Sequence, residues 1–241
     1  MQPPFKPKKE MPSDIAENIA NVRAGIARAC ARSGRDGAAI TLLAVSKTQT
    51  PAAIRLAAQA GIDSIGENYC QEALEKIAAL RDQALAWHFI GPLQSNKTAA
   101  VAAAFDWVQS IDRVKIAQRL SAQRPPQLPP LNVCVQINID DEASKSGVAP
   151  AALPPLLDAI AALPNLTLRG LMTIPRAHAK PEQRRDSFAR MRELFERECA
   201  RFAQFDTLSM GMSDDFESAI EEGATLIRVG SAIFGARAVK P

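Results

Sequence analysis

Three places along the chain put reactive groups where an apolar segment stops. The run TLLAVSKTQ, residues 41–49, finishes on Ser46, Lys47 and Thr48. The stretches SMGMS (209–213) and VGSAIFG (229–235) set glycines and hydroxyls at similar turning points. A primary amine is a nucleophile towards carbonyl carbon. Glycines let an anion approach the backbone, and hydroxyls and backbone N–H groups at a helix start donate to phosphate oxygens. The chemistry within reach is the holding of a phosphate-bearing ligand beside a lysine. Each feature also has a plainer explanation. Lys47 can lay its stem on apolar surface and keep its ammonium in water. Gly211 and Gly230 can simply serve tight turns.

Whether these groups meet depends on the elements between them. Short apolar runs at 40–46, 62–66, 87–91, 107–111, 131–139, 166–173, 207–210 and 225–229 read as strands. Amphipathic segments such as 51–60, 68–80 and 95–104 lie between them. The clearest, 182–204, carries Phe188, Met191, Phe195, Cys199 and Phe202 on one stripe and charges elsewhere. Eight strand–helix units predict an α/β fold: parallel strands joined by crossovers and closed into a single (β/α)8 TIM barrel. One additional helix precedes the count. It starts at Ser13, with Ser13 or Asp14 as its cap, carries Ile15, Ile19, Val22, Ile26 and Cys30 on one stripe, and ends at Gly34 and Gly37. The domain is expected over 13–241, with 1–12 as a flexible tail. An open doubly wound sheet is the competing architecture, but the first strand runs into SKTQTP instead of G-x-G-x-x-G.

Composition narrows the partners. The 241 residues carry 29 basic and 26 acidic side chains, a net charge of +3. That balance gives no field for nucleic acid or an anionic membrane, and RRDSFARMRELFERE mixes both signs. No run approaches the roughly 18 apolar residues of a membrane helix, and the first dozen residues lack a signal peptide's apolar centre. Cys30, Cys70, Cys134 and Cys199 lie tens of residues apart with no C-x-x-C pair. This argues against zinc and against a disulfide framework, and for reduced thiols in a cytoplasmic protein.

A barrel of this kind builds its site at the C-terminal ends of its strands. Glu67, Asn68 and Tyr69 follow the second strand, and the third carries His88 and leads into GPLQSNK with Lys97. The fifth leads into NIDDEASKSG with Lys145. Barrels often take phosphate at the loops after strands seven and eight, here SMGMS, with Ser213 as the expected helix N-cap, and VGSAIFG. Lys47 is on the next strand round. The phosphate-bearing aldehyde that proteins hold on a lysine is pyridoxal phosphate; a snorkelling lysine remains the alternative. His88 either touches the ligand or is a satisfied core histidine. Glu67 pairs with a nearby base or caps the next helix. Lys97 and Lys145 either steer an anionic ligand or are solvated, and His178 is expected in a solvated loop.

The segments LLAVSKTQ, GENYCQEALEK, WHFIGPLQSNK, NIDDEASKSG, LRGLMTIP and LSMGMSDDFESAIEEGATLIRVGSAIFG together resemble the pyridoxal phosphate homeostasis proteins. That family's barrel is similar to the N-terminal barrel of alanine racemase, fold type III of the pyridoxal enzymes. The resemblance runs from about residue 15 to 235. It implies that Lys47 is the Schiff-base lysine and that Asn68 lies near the cofactor ring. It implies that Ser209, Gly211, Ser213, Gly230 and Ser231 hold the phosphate and that Arg228 faces the pyridine nitrogen. Ser231 stands where threonine is frequent. Gln49 stands where many relatives carry a lysine, which removes a like charge and raises the pKa of Lys47. The implied role is intracellular homeostasis of pyridoxal 5'-phosphate, with little or no turnover and with apo-enzymes as recipients. A monomer is expected, because the second domain through which racemases pair is absent from the sequence. The alternative is an amino-acid racemase, whose second base would have to be Tyr69, the only tyrosine; otherwise Tyr69 is a packing residue. A third reading is a phosphate-ligand barrel in which Lys47 only pairs with an anion.

Overall fold

Eight short apolar segments pair edge to edge in chain order: β1 (Thr41–Val45), β2 (Ser64–Glu67), β3 (Ala86–Phe89), β4 (Trp107–Ile111), β5 (Leu131–Ile137), β6 (Leu166–Thr173), β7 (Thr207–Ser209) and β8 (Leu226–Val229). Neighbours are parallel throughout, and β8 pairs with β1 to close the barrel. The computed structural model describes residues 12–142, 146–176 and 180–235. Helices α1 (Pro12–Ser33), α2 (Pro51–Gln59), α3 (Cys70–Ala79), α4 (Thr98–Ala104), α5 (Val114–Gln123), α6 (Leu153–Ala161), α7 (Pro181–Cys199), α8 (Phe216–Glu221) and α9 (Ser231–Phe234) complete it.

The predicted units are all present, with shifted ends. α1 already opens at Pro12, so Ser13 and Asp14 fall inside its first turn and not at a cap before it. The expected tail, as far as residue 11, lies outside the described residues. Gly34 follows α1 at φ +66, the left-handed conformation that terminates a helix without penalty for glycine. α7 stops at Cys199, so Phe202 lies beyond the helix and packs instead on Phe205, ring centroids 5.7 Å apart.

Alternate strand residues serve two layers. Ala44, Ile65 and Phe89 are buried towards the helices. Leu43, Ile90 and Leu226, with Val45, form a separate small cluster on the barrel axis. Polar groups share the axis with them: His88, Gln109, Ser209 and Arg228 are all buried. Helix α1 lies outside the repeat and braces its end. Asn18 Nδ2 donates to Ile233 O of α9 at 3.0 Å, and Arg28 and Arg32 pair with Glu217 of α8 at 2.8 and 2.7 Å. At Gly25 a Cβ would come within 2.7 Å of the Phe216 ring.

The stripe on α7 anchors that helix through Phe188 and Met191, both fully buried. Phe188→Ala should therefore destabilise the protein by about 3–5 kcal/mol in urea denaturation; a loss below about 1 kcal/mol would mean the helix is not seated on the barrel as described.

Candidate functional site

At the C-terminal mouth of the barrel a cavity of about 230 Å³ is lined by Lys47, Asn68, Ile90, Ser213, Arg228, Gly230 and Ser231, together with Gln49, Met212 and Phe234. Larger hollows lie elsewhere. One, about 510 Å³, is shallow and sits between the loop after β5 and the start of α7; there Arg190 and Asp140 already pair with each other at 2.8 Å. Another, about 430 Å³, opens at the opposite mouth beside His88, Trp107 and Arg169, and a third, about 450 Å³, lies beside Asp63, Gln83 and Asp106. Only the smaller cavity gathers the groups that the strand ends present.

Lys47 stands in the turn after β1, half-buried. Ser46 N–H still bonds Gly66 O of β2 at 3.0 Å, so the turn begins from a strand-held residue. Asn68 follows β2, and the chain after β3 crosses it closely: a Cβ at Gly91 would stand 2.1 Å from the Asn68 carbonyl oxygen. Glycine at 91 is what lets these two loops share the mouth. The buried Asn68 Oδ1 has no hydrogen-bond partner among the described residues. An acceptor left bare in a buried place costs about 1–3 kcal/mol, which a ligand donor would recover.

Arg228 points from β8 along the axis to the floor of the cavity. Its Nη1 donates to Ser209 Oγ at 2.7 Å and its Nη2 to Thr173 O at 2.8 Å. Ser209 Oγ in turn donates to Gln109 Oε1 at 2.7 Å, and Gln109 Nε2 meets His88 Nδ1 at 2.9 Å. An amide NH2 can only donate, so His88 Nδ1 accepts and the ring is neutral with its proton on Nε2. Burial pushes the His88 pKa down to about 3. Burial also pulls Arg228 down to about 10, opposed by the charge of Asp215, and the guanidinium stays charged at neutral pH.

The serines and glycines divide between wall and support. Ser213, Gly230 and Ser231 line the cavity. Ser213 is not the N-cap of α8. Asp215 holds that position, and its Oδ1 accepts from Met212 N–H at 2.7 Å, folding the loop back on itself. Ser213 Oγ is thereby turned to the chain after β8, where it accepts from Gly230 N–H at 3.3 Å and Ala232 N–H at 3.2 Å. Ser209 and Gly211 lie behind the wall. Ser209 is fully buried against Arg228. Gly211, at φ +92, packs on Ala219 and Phe216, and its carbonyl accepts from Arg228 N–H at 3.0 Å.

Tyr69 is 58 % exposed and does not line the cavity, so it is not a packing residue. His88 is a buried core group, stacked on Trp107 at 5.0 Å. Glu67 pairs with a base, Lys76 of α3, at 2.7 Å. Lys97 is exposed before α4. Lys145 and His178 lie outside the described residues. Sequence reasoning missed Gln109, Thr173 and Lys76. A polar residue inside the apolar run WVQSI was the available signal for Gln109; for the carbonyl of Thr173 there was none.

The family described as "Alanine racemase, N-terminal domain" matches residues 15–238. The chain is 59% identical over 225 residues to the pyridoxal phosphate homeostasis protein of Pseudomonas aeruginosa, covering 93% of this chain and 96% of that one. It is 51% identical over 228 residues to the protein of that name in Escherichia coli K12, with 93% and 97% covered. Among solved structures, PipY of Synechococcus elongatus with PLP bound superposes with a TM-score of 0.80 at 35% identity, over 92% of this chain and all 100% of that one. Alanine racemase of Corynebacterium glutamicum gives a TM-score of 0.71 at 16% identity, over 94% of this chain and 62% of that one, a likeness of fold.

The neutral, buried His88 sets a pH dependence. Its folded pKa of about 3 lies below the ordinary 6.5, so the unfolded chain binds a proton that the folded chain refuses. The stability it contributes is complete above about pH 6.5 and is lost as pH falls towards 3. Urea unfolding at stepped pH should show wild type losing up to about 1.4 kcal/mol per pH unit more than His88→Gln in that window. Equal slopes would mean that His88 is protonated in the fold.

Proposed function

The chain belongs to the pyridoxal phosphate homeostasis protein family, and on that premise we propose that it binds pyridoxal 5'-phosphate at the C-terminal mouth of the barrel and holds it with little or no turnover. The observation that carries this is the meeting of Lys47 and Arg228, from strands at opposite ends of the sequence, on one cavity of about 230 Å³. The PLP-bound relative PipY, alike over nearly the whole chain, supports the same ligand here.

The residues suit that group. Asn68 Oδ1 lacks a donor, and a ring hydroxyl would supply one. Ser213, Gly230 and Ser231 would take the phosphate. The 3.2 and 3.3 Å bonds from Gly230 and Ala232 N–H to Ser213 Oγ are long enough for an anion to compete with them. Ser209 and Gly211 would serve from behind, by fixing Arg228. Bound pyridoxal phosphate supplies an aldehyde carbon with which a primary amine condenses, with loss of water, and Lys47 is the amine on the wall.

Arg228 supports holding over turnover. Two of its five N–H donors are engaged below the cavity, which leaves others to face the ligand. A charged arginine at a pyridine nitrogen keeps that nitrogen unprotonated, and the ring is then a weak electron sink. Racemisation on such a ring needs two bases, and Tyr69 is away from the cavity wall. The recipients would be apo-enzymes, met by a monomeric protein in the cytoplasm.

Wild type mixed with pyridoxal phosphate should absorb near roughly 420 nm, and borohydride should fix the ligand on Lys47, the signature of a lysine–aldehyde adduct. Lys47→Ala should do neither. No band in wild type would overturn the proposal and leave Lys47 as an anion's counter-charge. Asn68→Ala should weaken the cofactor's Kd about tenfold, the worth of one hydrogen bond to a buried acceptor, read by fluorescence titration.

A further inference from the structure

The lysine that reacts must be held still, and the turn that carries it is not self-supporting. Thr48 sits at φ +68, a conformation that residues other than glycine seldom adopt. Both chain neighbours of Lys47 are gripped by one cluster of charges on β2 and α3. Ser46 Oγ donates to Glu67 Oε1 at 2.5 Å. Ser46 O accepts from Lys76 Nζ at 2.7 Å. On the far side of Lys47, Thr48 N–H donates to Glu72 Oε1 at 2.6 Å. Lys76 Nζ joins the two carboxylates, at 2.7 Å to Glu67 Oε1 and 2.5 Å to Glu72 Oε1.

The cluster is an expensive way to stabilise a fold. The side chains of Lys76 and Glu67 are 5% and 0% exposed, and Glu67 Oε2 has no partner among the described residues. A buried ion pair adds little net stability compared with apolar side chains of the same volume. What it supplies is direction. All three donors of Lys76 are engaged, so Lys76 is saturated and is not itself a candidate nucleophile.

We propose that Lys76, with Glu67 and Glu72, is a positioning group that fixes the Ser46–Thr48 turn and so aims Lys47 into the cavity. The inference rests on the reading that Lys47 takes the aldehyde. It concerns the condensation alone and not the binding of phosphate and ring, which other loops provide.

Two ligands separate these contributions: pyridoxal 5'-phosphate, and pyridoxine 5'-phosphate, which carries an alcohol in place of the aldehyde and cannot condense. Lys76→Met removes the centre of the cluster. Glu72→Ala removes only the partly exposed carboxylate and leaves the Lys76–Glu67 pair, so it keeps the test alive if Lys76→Met fails to fold. Adduct formation, followed by stopped-flow absorbance and borohydride trapping, should slow by roughly tenfold or more in both variants, as misplaced reacting groups do. Affinity for pyridoxine 5'-phosphate should stay at the wild-type value, and Glu72→Gln, which keeps an acceptor oxygen for Thr48 N–H, should restore much of the rate. Unchanged adduct rates, or equal losses for both ligands, would overturn the positioning role while leaving Lys47 as the nucleophile. Failure of wild type to trap any adduct would instead overturn the reading of Lys47, and the positioning role with it.

Discussion

Everything at the site depends on the pairing of β8 with β1. Leu43 stands opposite Arg228 in that ladder, and Ala44 opposite Val229. A sheet left open at this seam would put Lys47 on one edge and Arg228 on the other, a barrel's width apart. Closure makes them neighbours and gives every strand two partners, so no unpaired edge remains. The seam is also where α1 is spent. Its bonds to Ile233 and Glu217 brace α9 and α8, the two elements that follow the loops facing Lys47.

Closure creates a second requirement. The barrel axis holds polar groups that water cannot reach, and each must be answered from within. The run from Arg228 through Ser209 and Gln109 to His88 does this with every donor and acceptor in one sense, and the neutral His88 is the end that needs no counter-charge. Two buried cations show the difference between support and use. Lys76 spends all its donors on the protein. Arg228 spends two from beneath and keeps a face for the cavity it lines.

The frame itself decides little about chemistry. Alanine racemase of Corynebacterium glutamicum shares the fold at 16% identity and is longer than this chain's match to it. Function sits in what the strand ends carry. Here they carry one amine, one arginine, the Asp214 carboxylate and a group of hydroxyls, with the lone tyrosine turned to solvent. That inventory suits a site that grips a phosphate-bearing aldehyde, with Tyr69 taking no part in its wall.

The sequence by itself determined the architecture and the addresses of the groups. Strand–helix alternation is a local periodicity, so the eight units and the α7 stripe of Phe188 and Met191 were legible without coordinates. The addresses of Lys47, Asn68, Gly230 and Ser231 were legible too, because they follow apolar runs and strand ends face one mouth; Arg228, inside its run, was marked only by the family resemblance. Tertiary structure alone decided which of the small residues form the wall. Ser209 and Ser213 lie four residues apart in one motif, yet one is sealed against Arg228 and the other opens to the cavity. Their fates turn on Asp215, which folds the loop back, and on Gln109, which arrives from a strand 100 residues away. Lys76 shows the same limit: as one lysine in an amphipathic helix it reads as solvated, and only packing brings it under the turn of Lys47. Periodicity is written in neighbours along the chain. Hydrogen-bond partners are chosen by distance in space, which the chain has no means of displaying until it closes.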